Sequence, residues 1–179
     1  TVDQYREASA KLFARFAAVA RDNPLATRRK GYSAEQIAEV NAENPFVGFP
    51  YTKLMTASAF VDQSAAFIVV SEARADELGI PQDKRVYLHG EAHAHDTWFV
   101  SDRERLDQSP AMRLTSRAAL AQAGKTIADV DVFDIYSCFP SVVQIACKEL
   151  GISPDDKRGP TVTGGLPYFG GPGNNYATH

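Results

Sequence analysis

Apolar residues recur every three or four positions near the start of the chain, which predicts a long amphipathic helix. This helix should run for about five turns. It should end before Asn23-Pro24, because proline disfavours helical geometry in the residue before it. Ser33 followed by Gln36 has the form of a capping box, so a short second helix is expected from there to about Glu43. The predicted apolar face of the first helix comprises Tyr5, Ala8, Leu12, Phe16 and Val19.

Three further helices are predicted from the residues at their ends. Serine suits the N-cap position of two of them, and a glycine stands after each of the three as a stop signal. The predicted helices are Ser71 to Glu77 before Gly79, Ser109 to Ala123 before Gly124, and Pro140 to Leu150 before Gly151.

Four other segments have the composition or the alternation of β-strands. The run from Ala65 to Val70 is apolar and β-branched at its end, which is typical of a buried strand. Strands that alternate with helices indicate an α/β layered fold with a mixed sheet covered by helices. The other predicted strands are Arg85 to His95, Val130 to Tyr136 and Thr161 to Thr163, whereas Pro45 to Ala59 is predicted to be loop.

Composition and charge exclude several classes of protein. With 44% hydrophobic and 23% charged residues, the 179-residue chain is expected to be globular. Its longest apolar stretch is only strand-sized, so no membrane span is expected. A net charge of −3 disfavours binding to nucleic acid. Two cysteines, Cys138 and Cys147, are too few for a disulfide framework, which favours the cytoplasm.

The chain begins without Met inside a helical pattern and stops directly after a glycine-rich turn. We therefore expect a fragment of a longer protein, with partners for its buried faces outside this sequence. The polar segment from Asp96 to Asp107 is the best candidate for an internal junction. It divides the chain into predicted units of residues 1–95 and 96–179.

The turn Tyr136-Ser137-Cys138-Phe139-Pro140 lies where a predicted strand passes directly into a helix. Backbone N–H groups at a helix N-terminus favour anions, so the Cys138 thiol could have a lowered pKa and act as a nucleophile. The alternative is a small buried hydrophobic residue, which a cysteine beside Phe139 more often is. Cys147 falls in the middle of the helix and is expected to be structural.

The segment from Gly164 to Gly173 contains five glycines and two prolines. Glycines permit positive φ values and close backbone approach, which suits a loop that lines a ligand tunnel or an oxyanion site. The spacing does not match nucleotide-binding loops, because Gly-Gly-Pro-Gly is not followed by Lys and Ser or Thr. A tight structural turn is the alternative interpretation.

Three histidines and a glutamate, at positions 89, 91, 93 and 95, share one parity along a predicted strand and therefore one face. A His-x-His pair on one face can bind zinc. An exposed polar strand face explains the same alternation, and no further set of zinc-ligand residues lies nearby in the sequence. No metal is therefore expected.

The order of these features resembles the thiolase superfamily, in particular the acetyl-CoA acetyltransferases related to the sterol-carrier-type thiolases. The resemblance begins at the segment Ala59 to Ala66 and reaches the glycine-rich end of the chain. Tyr136-Ser137-Cys138-Phe139 is similar to the family's His-Asp-Cys-Phe, and Gly164 to Pro172 keeps the spacing of its Gly-Gly-x-x-x-x-Gly-His-Pro. The resemblance implies a thiolase-like layered fold, incomplete here, with the end of the CoA-binding loop region and the first half of the C-terminal domain.

The resemblance also implies a function in acyl-CoA and lipid metabolism. Tyr136 stands where the family has Asn or His, and Gly171 stands where it has its catalytic His. An acyl-CoA acyltransferase and a non-catalytic CoA- or acyl-binding module are the two functions that this pattern leaves open. Tyr136 and the backbone amides near Gly170 and Gly171 are implied to contact the thioester oxygen.

The site residues implied by the resemblance form two groups. The catalytic positions are Tyr136, Cys138, Gly171 and His179, and the substrate- or CoA-binding positions are Ser58, Gly164, Gly165, Phe169, Gly170, Asn174 and Asn175. Coenzyme A enters as part of the substrate, and no separate cofactor is expected. The implied partners are an acyl-CoA thioester, an N-terminal thiolase half, and a second copy or an accessory domain.

Overall fold

Helices supply most of the regular structure in the computed structural model, which describes residues 1–179. Two short strands, β1 (Phe46–Gly48) and β2 (Tyr51–Thr52), form an antiparallel hairpin. A membrane-crossing helix is absent, since none combines the necessary length with the necessary apolarity. The helices are α1 (Val2–Asp22), α2 (Ala34–Ala38), α3 (Glu72–Glu77), α4 (Pro110–Gln122), α5 (Pro140–Leu150) and α6 (Gly165–Tyr168).

The predicted helix ends are confirmed where local capping determines them. The Ser33 hydroxyl accepts the Gln36 N–H at 3.3 Å, and the Gln36 side chain accepts the Ser33 N–H at 2.9 Å, which completes the expected capping box. Ser71 and Ser109 cap α3 and α4. The helix α5 ends at Gly151, whose φ of 70° lies in the left-handed region.

The helix α2 is shorter than predicted, because the Asn44 side chain forms hydrogen bonds with the carbonyl oxygens at its end. The Asn44 amide donates to the carbonyl oxygens of Gln36, Ile37 and Glu39 at 3.2, 3.2 and 2.7 Å. These bonds replace the ones that a longer helix would make. The helix therefore stops at Ala38 and not at Glu43.

The four predicted strands are not confirmed as strands of a sheet, because none of them has a ladder partner in the chain. The prediction of a buried strand from Ala65 to Val70 is wrong. Phe67 is 72% exposed, and Ile68 and Val69 are each 83% exposed. No layer of this chain covers that segment, so its apolar composition does not lead to burial. The hairpin of β1 and β2 lies instead in the segment predicted to be loop.

The segment from Val130 to Tyr136 keeps the alternation of a strand without its ladder. Phe133 and Ile135 are buried, whereas Asp134 and Tyr136 are exposed. The Ile135 N–H donates to the Pro160 carbonyl at 2.9 Å, which holds the segment beside the start of the glycine-rich stretch. This alternation places Tyr136 on the outer face of the segment.

The hydrophobic core lies between α1, α5, α6 and the segment that contains Phe133. Phe13 and Phe16 of α1 are fully buried, and Phe13 contacts Tyr168 of α6 with ring centroids 6.5 Å apart. Burial of an aromatic side chain of this size contributes about 1.5–3 kcal/mol. The buried stripe of α1 is rotated from the predicted face, since Ala8 is exposed and Phe13 is buried. The core thus packs against the glycine-rich turn through Tyr168.

Candidate functional site

Three segments that are distant in sequence meet at the candidate site. The Ala57 N–H donates to the Cys138 carbonyl at 3.2 Å, and the Ser58 N–H donates to the Leu166 carbonyl at 3.0 Å. The Gly171 N–H in turn donates to the Ser58 carbonyl at 2.9 Å. Residues 57 and 58 therefore join the turn that contains Cys138 to both ends of the α6 turn. This brings together the two motifs that the sequence singled out.

Buried hydroxyl groups hold the beginning of the glycine-rich turn. Thr161, Thr163 and Ser137 accept the backbone N–H groups of residues 164, 165 and 166 at 3.0, 3.2 and 3.0 Å, respectively. These groups would otherwise be unpaired at the start of α6. Sequence analysis missed this role, although Thr-x-Thr immediately before Gly-Gly is a signal that could have indicated it.

Gly164 and Gly165 pack against α1, and the structure assigns them a packing role. Their φ values are 110° and 72°. A Cβ atom at Gly164 would lie 2.5 Å from the Ala20 Cβ, and one at Gly165 would overlap the Phe16 ring and lie 2.5 Å from the Ser137 Oγ. Glycine is required at both positions because α6 lies directly on α1.

Gly171 differs from the other glycines of the turn, because its φ is not in the left-handed region. A Cβ atom there would lie 3.3 Å from the Ser58 carbonyl oxygen and 3.6 Å from the Ala57 Cβ. The backbone can therefore accept another residue with a small adjustment of its neighbours. The side chain of such a residue would start beside Ala57 and Ser58.

Tyr136 presents a free hydroxyl beside a buried tyrosine. Its side chain is 46% exposed, makes no hydrogen bond within the chain, and packs edge-on against Tyr176 with ring centroids 5.7 Å apart. The Tyr176 hydroxyl donates to Asp134 at 3.1 Å and lies 3.0 Å from the Thr163 hydroxyl. Burial raises the pKa of Tyr176, so its phenol remains protonated. Tyr136 is therefore positioned by a fixed neighbour and can donate to a ligand.

Cys138 does not have the environment of an activated thiol. Burial raises the pKa of Cys138, and this effect outweighs the backbone N–H groups at the start of α5. The thiol is consequently protonated at neutral pH. Cys147, which is predicted to be structural, is buried in the core and is 1% exposed.

We expect iodoacetamide to modify Cys138 more slowly than it modifies free cysteine at pH 7.5, because only the thiolate reacts. A raised pKa means that the thiolate fraction is small at neutral pH, so the rate should keep increasing above pH 9. Mass spectrometry of the labelled peptide measures this rate. Cys138→Ser is the control, since it leaves only the buried Cys147. A rate that reaches its plateau below pH 8 would contradict the prediction.

The remaining predicted residues divide into ligand-accessible and structurally committed side chains. Asn175 is committed, because its amide accepts the Ala65 N–H at 2.8 Å and donates to the Ala65 carbonyl at 3.0 Å. Asn174 is exposed, and its side chain makes no hydrogen bond. The exposed His179 ring packs on the buried Phe169 ring with centroids 5.0 Å apart. It therefore lies near the turn but does not occupy the space beside Gly171.

Gln63 is a second residue that sequence analysis missed. Its amide nitrogen donates to the carbonyl oxygens of Leu25 and Phe169, both at 3.0 Å. Nothing in the polar sequence Asp62-Gln63-Ser64 distinguishes this side chain from a solvated one, so no sequence signal could have found it.

Two other features lie outside this cluster. A polar cavity of about 560 Å³ is bordered by α2 and the segment after α1, and its lining includes Arg28, Lys30 and Lys53. His93 and His95 are exposed, with their Nε2 atoms 3.0 Å apart. No group of three or more His, Cys, Asp or Glu side chains is arranged to hold a metal ion.

Comparison with known proteins gives consistent similarities. Residues 92–172 match the family described as "Thiolase C-terminal domain-like". The chain is 31% identical over 99 residues to a "Probable acetyl-CoA acetyltransferase" of Mycolicibacterium smegmatis, an alignment that covers 55% of this chain and 23% of the relative. It is 29% identical over 117 residues to a "3-ketoacyl-CoA thiolase" of Cronobacter sakazakii, which covers 65% of this chain and 28% of that protein. The chain thus spans about a quarter of the length of these curated relatives.

A solved structure shows the same similarity in three dimensions. The whole chain superposes on 39% of a "monomeric SCP2-thiolase like protein type 1 (STLP1) from Mycobacterium smegmatis", with a TM-score of 0.88 and 39% sequence identity. The predicted thiolase-like α/β fold is therefore confirmed. The predicted boundary between units 1–95 and 96–179 stays a prediction.

Proposed function

We propose that this chain handles an acyl-CoA thioester, because it is thiolase-like in both sequence and fold. The pantetheine-linked acyl group lies between residues 57–63 and the glycine-rich turn. The observation that carries this proposal is the set of backbone hydrogen bonds through Ala57 and Ser58, which places Cys138 and Gly171 on either side of one short segment. Both motifs implied to act on the thioester are thereby brought to one place.

Tyr136 is the side chain proposed to contact the thioester oxygen. Acyl transfer creates negative charge on that oxygen, and one hydrogen-bond donor directed at it contributes about 2.7–4 kcal/mol to stabilisation of the transition state. The Tyr136 hydroxyl is exposed and unpaired, which supports this role. Because the Cys138 thiol is protonated, the nucleophile of a covalent mechanism is proposed to come from an N-terminal thiolase half.

That N-terminal half is also the partner proposed to cover the unpaired extended segments. Phe67, Ile68 and Val69 in one segment and Val86 and Leu88 in another are exposed, and these segments have no ladder partner. Open strands with apolar side chains bind other strands readily. A second copy or an accessory domain is the alternative partner. The two free cysteines support the cytoplasm as the proposed compartment.

Isothermal titration calorimetry of the full-length natural protein with acetyl-CoA and acetoacetyl-CoA tests the proposal. We expect saturable binding of both ligands. Tyr136→Phe should weaken binding of acetyl-CoA by about 2- to 10-fold, as expected for the loss of one hydrogen bond. Tyr87→Phe is the matched control, because the Tyr87 hydroxyl bonds only to Glu72 and Gln82 on the surface. Absence of saturable binding by the wild type would refute the proposal.

A non-catalytic CoA- or acyl-binding module is the second candidate, and Gly171 is the observation that favours it. A binding site requires the groove, whereas catalysis requires the imidazole that glycine lacks. Purified full-length protein that binds acetoacetyl-CoA but does not cleave its carbon–carbon bond would support this candidate. Cleavage that is abolished by mutation of a cysteine in the N-terminal half would exclude it.

A further inference from the structure

In the peptide group between Phe169 and Gly170, the carbonyl oxygen is hydrogen-bonded and the N–H group is not. Its carbonyl oxygen accepts the Thr27 N–H at 2.9 Å, the Thr27 hydroxyl at 3.0 Å and the Gln63 amide at 3.0 Å. Its N–H group, which belongs to Gly170, makes no hydrogen bond, although Gly170 is buried. Buried backbone N–H groups without a partner are rare, so this one requires a physical explanation.

The three donors fix the direction of the free N–H. A trans peptide is planar, and its N–H points away from its C=O. Rotation of this peptide would break all three bonds to the Phe169 carbonyl. Gly170 also has a φ of 139°, and a Cβ atom at this position would overlap the Gln63 side-chain oxygen. Gln63 therefore both holds the carbonyl and fills the space beside the glycine.

The adjacent amide already has a partner within the chain. The Gly171 N–H is already bonded to the Ser58 carbonyl at 2.9 Å. The two amides that the sequence implied for the thioester oxygen therefore differ, and only that of Gly170 is free. The implied contact of the Gly171 amide with the thioester oxygen stays a prediction.

We infer that the Gly170 N–H donates a hydrogen bond to the acyl carbonyl oxygen of the bound thioester, and that Gln63 and Thr27 are the positioning residues that direct it. This inference rests on the proposed function. A fixed backbone donor needs no reorganisation as charge develops on the oxygen, which is the property required of an oxyanion donor. This donor would not need a side chain at Gly171.

Nuclear magnetic resonance can observe this one amide. Phe169-Gly170 is the only Phe–Gly pair in these 179 residues. Labelling with ¹³C-carbonyl phenylalanine and ¹⁵N-glycine gives correlated signals only from Phe–Gly pairs, and the signal that a Phe169→Leu variant lacks identifies this pair. The full-length protein is titrated with acetyl-CoA and with S-ethyl-CoA, a thioether that lacks the carbonyl oxygen. We expect the Gly170 amide proton to move downfield with acetyl-CoA and not with S-ethyl-CoA. Acetyl-CoA should also bind about 2- to 10-fold more tightly.

Variants of the positioning residues supply the second measurement. Gln63→Glu removes both amide donors, and Gln63→Leu does so without adding a charge. In either variant, the preference for acetyl-CoA over S-ethyl-CoA should fall towards one, because the ratio of the two affinities measures the hydrogen bond to the carbonyl oxygen. A purely structural role would weaken binding of both ligands equally. Gln144→Glu is the matched control, because the Gln144 side chain makes no hydrogen bond and lies on α5.

The outcomes separate this inference from the proposed function. If acetyl-CoA binds but leaves the Gly170 signal in place, the inference is wrong and the proposed function stands. The same conclusion follows if the Gln63 variants retain the wild-type preference. If neither ligand binds, both the proposed function and the inference are overturned.

Discussion

Replacement of Gly171 by histidine is expected to raise the thiolytic activity of the full-length protein by about tenfold or more, because one oxyanion donor contributes on the order of 10²–10³ in kcat. The backbone permits the change, since the φ of Gly171 is not in the left-handed region. The new Cβ would lie 3.3 Å from the Ser58 carbonyl oxygen, so we expect destabilisation of only about 1 kcal/mol. Steady-state assay of acetoacetyl-CoA cleavage measures the effect.

Gly171→Ala is the control for this prediction, because it adds the Cβ contact without the imidazole. It should leave activity at the wild-type level. If Gly171→His folds, binds CoA and shows no gain, either position 171 does not correspond to the catalytic histidine or Tyr136 blocks the chemistry. A gain in the alanine variant would instead attribute the effect to backbone rigidity.

Replacement of Gly165 by alanine is expected to destabilise the protein by about 4 kcal/mol, the sum of backbone strain and overpacking in the core. The φ of Gly165 is 72°, and the added Cβ would overlap the Phe16 ring and lie 2.5 Å from the Ser137 Oγ. Displacement of Ser137 would also break its bond to the Leu166 N–H. Urea denaturation followed by circular dichroism measures the free energy of unfolding.

Gly79→Ala separates the two causes. Gly79 has a φ of 65°, but no atom lies within 4 Å of the position that an added Cβ would take, so only the backbone strain of about 1–2 kcal/mol is expected there. Equal losses of stability in the two variants would show that the contacts of Gly165 with α1 are not tight. Native domains have a free energy of unfolding of only about 5–15 kcal/mol. The protein should therefore tolerate Gly79→Ala better than Gly165→Ala.

Both proposals for this protein depend on the same glycine-rich turn but on different atoms. Acyl-CoA binding depends on the place where residues 57 and 58 meet the turn. The role of Gly170 depends on the clamp from Thr27 and Gln63 on the Phe169 carbonyl. Calorimetry with any acyl-CoA tests the proposal of acyl-CoA binding. The proposed role of the Gly170 N–H requires a comparison of two ligands, one of which lacks the carbonyl oxygen.

The sequence by itself determined the features that depend on neighbouring residues. The capping box of Ser33 and Gln36 and the stop at Gly151 are confirmed, because hydrogen bonds within one turn decide them. The resemblance of two motifs to those of the thiolase superfamily also implied the thiolase-like fold, which the structural similarity confirms. Each of these features can be recognised within a short window of sequence.

Only the tertiary structure decided which groups are buried, paired or free. The apolar run from Ala65 to Val70 is exposed because burial depends on a covering layer, which a run of sequence does not specify. Gly165 serves packing because α1 lies against it, and Cys138 has a raised pKa because its surroundings remove water. The clamp of Gln63 on Phe169 joins residues 106 positions apart. Such contacts arise from the folding of distant segments onto a shared core, so residue type and local spacing cannot reveal them.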